Sequence, residues 1–178
     1  MKFVISYLSL IVYYSFVYSQ VTLSSSAQKK INKTIGLLWQ GVEVKKEQVK
    51  ITDSMLTNSK LKSTDVDLYT IKNKDILLGY LYIDETKSKT ENFSYCVFFK
   101  PDLSIKSVQL LDYRESYGSE VGSTRWLKQF NDKTNGERLE FEKDIKNISG
   151  ATITAKSISF GIKRLSLNIQ ELRRLKII

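Results

Sequence analysis

The chain has no histidine and only one cysteine, Cys96, in 178 residues. Without histidine it lacks the commonest metal ligand and the usual general base near neutral pH. A lone cysteine excludes an intramolecular disulfide, a CxxC redox pair and a c-type haem attachment. Redox chemistry here has to come from an organic cofactor. No GxGxxG opens a helix after a strand, so no nicotinamide site of that type is present. Acidic residues are also few, 19 against 28 lysines and arginines, which leaves a net charge of +9. A basic surface suits anionic partners, whether nucleic acid, phospholipid head groups or a phosphorylated cofactor. There is no nucleic-acid motif, and the basic residues are spread along the chain, so nucleic acid is not expected. Most of these lysines read as solvated surface. The apolar fraction of 42% is enough for a core, and the length is that of one domain with room for two lobes.

What is present is best organised around Ser149-Gly150-Ala151-Thr152. From there Ala151, Ala155, Ile158, Ile162, Leu165, Ile169 and Leu172 recur in alternating steps of four and three. That spacing predicts one apolar face of a helix about six turns long. Ser149 is placed to cap its first turn, and Gly150 lets the backbone come close to another group. The unpaired N–H groups and partial positive charge of such a helix start suit a phosphate. Thr152 adds a hydroxyl there, and Lys156, one turn on, a cation. Two readings stay open on these residues alone. One is a capped amphipathic helix lying on a sheet; the other is a phosphate-bearing ligand held at the helix start.

Read as SGATIT before a helix, residues 149–154 resemble the attachment motif of the FMN-binding domain family. That family includes the flavin subunits of sodium-translocating quinone reductase and of the Rnf complex. The resemblance implies that Thr152 is esterified to the phosphate of FMN by a dedicated flavin transferase. Upstream, Glu115 and Gly118 match the first and last positions of a second family motif, resembling ETPG, in a loop that meets the flavin. Ser116 and Tyr117 replace its middle residues, and Tyr117 is a candidate to stack on the ring. Trp126 is a candidate to flank it, although a tryptophan on an amphipathic helix is more often core. The chain departs from the family pattern where Lys146 and Asn147 replace an aspartate and a small residue. The nearest acid is Asp144. The resemblance covers roughly residues 80–172.

Along the chain, residues 1–19 read as a signal peptide: Lys2, an uncharged apolar and aromatic run, then Val17-Tyr18-Ser19 as a cleavage point. An uncleaved anchor is the competing reading, but serines and tyrosines break the run. Export to the periplasm or cell envelope is expected. Residues 20–67 form an N-terminal helix and linker region. Within them, 27–38 is a helix with Ile31, Ile35 and Leu38 on one stripe, 42–44 and 48–52 are short strands, and 53–67 is a loop with room for a short helical piece. Residues 68–178 form the FMN-binding domain. Strands are expected over 68–72, 76–84, 93–100 and 103–113, with 85–92 a charged loop and Cys96 buried in its strand. Gly79 marks a bulge or close approach. A short helix spans 123–131, and 139–145 is one more strand.

The expected fold is therefore α+β, a mainly antiparallel sheet with flanking helices and a long C-terminal helix after the SGAT turn. The expected function is an exported flavoprotein that carries electrons between redox partner proteins, rather than a self-sufficient oxidoreductase. The alternatives are the same fold holding FMN non-covalently or not at all, or a secreted basic module at an anionic envelope surface. Peripheral association with a membrane stays open. No metal is expected.

Overall fold

The computed structural model describes residues 23–114 and 118–178; the expected signal peptide lies outside them, as do Glu115 and Tyr117. Five strands follow one another as a meander: β1 Lys45–Gln48, β2 Asp67–Asn73, β3 Ile76–Lys87, β4 Asn92–Phe99 and β5 Ile105–Asp112. They lie in sheet order β1-β2-β3-β4-β5, every pair antiparallel. Helix α1 (Ser25–Leu38) covers one face of the sheet and the long helix α3 (Thr152–Arg174) the other. A short helix, α2 (Thr124–Leu127), lies between β5 and α3 in the chain. The α+β expectation is met.

The alternation of β4 explains the two-faced core. Phe93, Tyr95, Val97 and Phe99 point into the cluster under α3. Cys96 and Phe98 point into the cluster under α1. A strand buried on both faces reads as a continuous apolar run, which is what FSYCVFF is. On α3 the predicted stripe is buried throughout: Ala155, Ile158, Ile162, Leu165, Ile169 and Leu172. Each large side chain on it contributes about 1.5–3 kcal/mol by leaving water. Helix α1 buries less, Ala27 and Ile31, and is tethered instead. The Ser24 hydroxyl accepts from Ala27 N (3.0 Å) and donates to Asp112 at the end of β5 (2.8 Å), and Lys30 donates to the Leu111 carbonyl.

Gly79 is the close approach foreseen. A Cβ there would stand 2.2 Å from the Phe99 carbonyl oxygen, and the β2–β3 register shifts between Ile71 and Lys72 beside it. Other expectations need correction. Residues 42–44 and 48–52 are not two strands; one strand, β1, starts after the first span, takes in only Gln48 of the second, and pairs with β2. The charged loop expected over 85–92 is shorter, because β3 continues to Lys87 and pairs Thr86 with Phe93. Residues 139–145 form no strand. Arg138 and Glu142 adopt positive φ (53° and 65°), and the Glu140 carbonyl accepts the N–H groups of Lys143, Asp144 and Ile145. The backbone wraps around that carbonyl, leaving one bridge between Phe141 and Ile145. No helix among the described residues is long and apolar enough to cross a membrane.

Candidate functional site

Helix α3 begins at Thr152, with Ala151 in the cap position. The approach is a turn closed by Ala151 N donating to the Ile148 carbonyl (3.2 Å), with Gly150 at φ 79°. A left-handed residue at this point favours glycine. Ala151, Thr154 and Ala155 face inward, and Thr152, Ile153 and Lys156 face solvent. The cap expected from Ser149 is not made: the N-cap residue is Ala151, which has no side-chain acceptor. The first-turn N–H groups are therefore left for another acceptor, the condition under which a helix start receives an anion.

The Thr152 hydroxyl is held from one side. Asn147 Nδ2 donates to Thr152 Oγ1 (3.1 Å) and to Glu142 Oε1 (3.2 Å), while Asn147 Oδ1 accepts from Ile148 N (2.7 Å). Both ends of the Asn147 amide are thereby fixed. Sequence reading noted Asn147 only as a departure and did not find Glu142. Their meeting depends on the left-handed turn at Glu142 and the turn at Gly150, neither of which periodicity reports.

Gly118 closes the site from the β5 side. Its φ is 74°, and a Cβ there would stand 3.2 Å from the Ala151 Cβ and 2.9 Å from the Tyr113 hydroxyl. The Tyr113 hydroxyl lies 3.4 Å from Thr154 Oγ1, and its ring meets Phe93 edge-on at 5.3 Å. The structure thus brings Gly118 together with Ser149, Gly150, Ala151 and Thr152. Trp126 sits deeper, 5% exposed, with its ring edge-on to Phe130. Its indole N–H donates to the Lys146 carbonyl (2.8 Å), and Gln129 Oε1 accepts from Lys146 N (2.8 Å). Trp126 therefore braces the backbone that leads into the SGAT turn.

These residues fit a phosphate ester. The acceptor hydroxyl is exposed, the helix start is uncapped, and a Cβ on Gly150 would have no atom within 4 Å. Lys146 and Lys156 bring positive charge to either side of Thr152 in sequence, both exposed. The model of the FMN-binding domain family matches residues 90–166, a span that takes in both Gly118 and the SGAT turn. That match bears out the resemblance read from the sequence and supports FMN as the cofactor. Solved structures match as well; one is NqrC from Shewanella oneidensis, at 18% identity and a TM-score of 0.48, over 71% of this chain and 69% of that chain. No curated protein matches the chain.

Proposed function

We propose that this chain is an exported flavoprotein electron carrier, with FMN joined through its phosphate to Thr152. The observation that carries the reading is the exposed Thr152 hydroxyl on an uncapped helix start, packed beside the Gly118 loop. The flavin supplies the redox chemistry; the protein supplies position and charge. First-turn N–H groups of α3 and Asn147 Nδ2 would hold the phosphate end. Lysines near the ring favour its reduced anionic form and raise its potential. A flavin transferase would install the group, and redox partner proteins would deliver and remove electrons.

The test is the intact mass of the mature protein, produced with its leader beside a flavin transferase, followed by peptide mapping. A gain of one FMN less one water on the Thr152 peptide, absent in Thr152→Ala, is expected. The same mass reads cleavage near Ser19. Covalent flavin retained in Thr152→Ala overturns the attachment site.

A second reading is favoured by Asn147, which already occupies one side of the Thr152 oxygen. The module then holds FMN without the ester, or acts without flavin as a basic protein at an anionic envelope surface. A colourless, unmodified product from cells with an active transferase, binding anionic vesicles in a salt-sensitive manner, is its signature.

A further inference from the structure

The two most exposed large apolar side chains among the described residues are Ile76 (66%) and Leu37 (59%), and Val42 is 41% exposed. Hydrogen bonds gather all three at one end of the domain. Val42 N donates to the Trp39 carbonyl (3.2 Å), which closes the turn after α1. Asn73 Nδ2 donates to the Glu43 carbonyl (2.8 Å), which ties the β2–β3 turn to the same segment. Trp39 stands half-buried there, its ring edge-on to Phe98 at 6.1 Å. An indole partly packed and partly wet is the side chain favoured where an apolar phase meets water.

The charge around this patch is positive. Helix α1 carries Lys29, Lys30 and Lys33 and no acid. Lys29, Lys33 and Leu37 follow at four-residue steps along its exposed side. Lys74 sits in the β2–β3 turn, and Lys106 Nζ lies over the Trp39 ring, 5.5 Å from its centre. Lys29, Lys33, Lys74 and Lys106 make no ion pair among the described residues, against two acids at this end, Glu43 and Asp75, in the same condition. Asp132 is paired with Lys100 (2.6 Å), and Asp102 accepts from Ser104 N (2.9 Å) and Oγ (2.7 Å). Lys30 donates to the Leu111 carbonyl and keeps its charge.

The patch is remote from the proposed flavin site. Helix α3 starts at Thr152, next to the contact between Ala151 and Gly118. It runs to Arg173, which donates to the Pro101 carbonyl in the β4–β5 turn, about 32 Å along the axis. That turn and the β2–β3 turn lie at the same end of the sheet.

We infer that this end of the domain is a docking surface for an anionic phospholipid bilayer. Leu37, Val42 and Ile76 enter the interface, Trp39 lies at headgroup level, and the surrounding lysines reach the lipid phosphates. Singly protruding aliphatic groups ringed by long cationic side chains suit a fluid surface that moulds to them and attracts their charge. Bound in this way, the domain holds the SGAT turn away from lipid and open to a partner in solution. The inference goes beyond the flavin reading and holds for loaded and unloaded protein alike.

The experiment is co-sedimentation of the mature protein, made without a flavin transferase, with vesicles of phosphatidylcholine alone or mixed with phosphatidylglycerol. Binding is expected only to the mixed vesicles, and it should fade as salt is raised. Trp39 emission should shift to the blue on binding, and brominated lipid should quench it; Trp39→Phe should remove that quenching. Leu37→Ser combined with Ile76→Ser, both at exposed positions, should weaken binding about tenfold or more. Lys33→Glu with Lys74→Glu should do the same, and the same charge change at Lys87 and Lys143, away from the patch, should weaken it less. Phe160→Ser, at an exposed position on α3, should leave binding unchanged. Equal binding to both kinds of vesicle, or a loss from Phe160→Ser or from the Lys87 and Lys143 pair as large as from the patch variants, would overturn the inference. A dimer in solution that Leu37→Ser with Ile76→Ser dissolves would overturn it too, by giving the patch to a second copy of the chain. Absence of vesicle binding would remove both this surface and the envelope reading. Flavin loading at Thr152, read by mass, is independent of all these outcomes.

Discussion

Gly118 and Ala151 are in contact across the site: a Cβ built on Gly118 would stand 3.2 Å from that of Ala151. The loop after β5 therefore touches the residue that caps α3, and the position of Thr152 depends on it. Gly118→Ala meets two obstacles, a left-handed backbone (φ 74°) and the Tyr113 hydroxyl at 2.9 Å. The conformational cost alone is about 1–2 kcal/mol. Gly150→Ala shares the left-handed cost, at φ 79°, but meets open space. Urea unfolding should place Gly118→Ala below Gly150→Ala in stability, and Gly118→Ala should also take up flavin less completely. Equal losses in the two variants would show that the contact with Ala151 does not constrain the site.

Gly161→Ala tests how α3 sits on the sheet. Replacing a helical glycine by alanine ordinarily gains about 1 kcal/mol. Here the added methyl would stand 2.3 Å from the Tyr95 hydroxyl and 3.0 Å from its ring carbon Cζ. Overpacking of this kind costs about 1–3 kcal/mol, so the sign reverses and the melting temperature should fall by several degrees. Adding Tyr95→Phe to Gly161→Ala removes the closest contact and should recover part of the loss. It cannot recover all of it, because Cζ remains near and the bond to Asp84 is lost. A melting temperature that rises in the single variant would mean the helix is free to lift.

Asp67 gives a pH dependence of definite sign. Burial pushes its carboxyl above the ordinary range, opposed by hydrogen bonds from Tyr69 and Gln48 and by the charge of Lys46. The folded protein therefore keeps this proton to higher pH than the unfolded chain, whose value lies near 4. Between that value and the raised folded one, the folded state binds more protons, so this group's contribution to stability falls as pH rises. Below the window Asp67 is neutral in both states and the cost is absent. Asp67→Asn should match the parent in stability at the acid end and exceed it at neutral pH. Denaturant midpoints measured across the range would check this; a variant less stable at neutral pH would show that the Asp67 charge is paired rather than stranded.

The parts legible in the sequence are those governed by periodicity. The α3 stripe, the two-faced run of β4, the meander, the buried Cys96 and the close approach at Gly79 all follow from apolar spacing and from glycine in a strand. The pairing of Thr152 with a helix start was legible from SGAT. What was not legible are features set by left-handed backbone at residues other than glycine. Residues 139–145 have the apolar pattern of a strand, but Arg138 and Glu142 at positive φ turn them into a wrapped loop. The absent Ser149 cap has a different origin: the left-handed turn at Gly150 makes Ala151, not Ser149, the cap residue of the helix. Trp126 was a candidate ring neighbour because large aromatics serve both roles. The Lys146 carbonyl that takes its N–H could not be foreseen from spacing.

That wrapped loop supplies the last prediction. Glu142 lies on it, and Asn147, two residues past its end, connects Glu142 to the Thr152 oxygen. With Asn147 donating, the Thr152 hydroxyl proton is directed away from Asn147, toward the side from which a phosphate would arrive. Asn147→Asp keeps an acceptor for Ile148 N but loses the donor to Thr152, and it sets a carboxylate against Glu142. The site is exposed, so the stability change should stay within about 1 kcal/mol. If Thr152 is the flavin attachment residue, the covalent product should form more slowly in Asn147→Asp than in the parent. The fraction carrying the added mass, followed over time beside a flavin transferase, reads that rate. Thr152→Ser, which retains the oxygen, should still load. Faster loading in Asn147→Asp would mean that Asn147 obstructs the hydroxyl rather than presenting it. That result would favour non-covalent flavin in the parent protein.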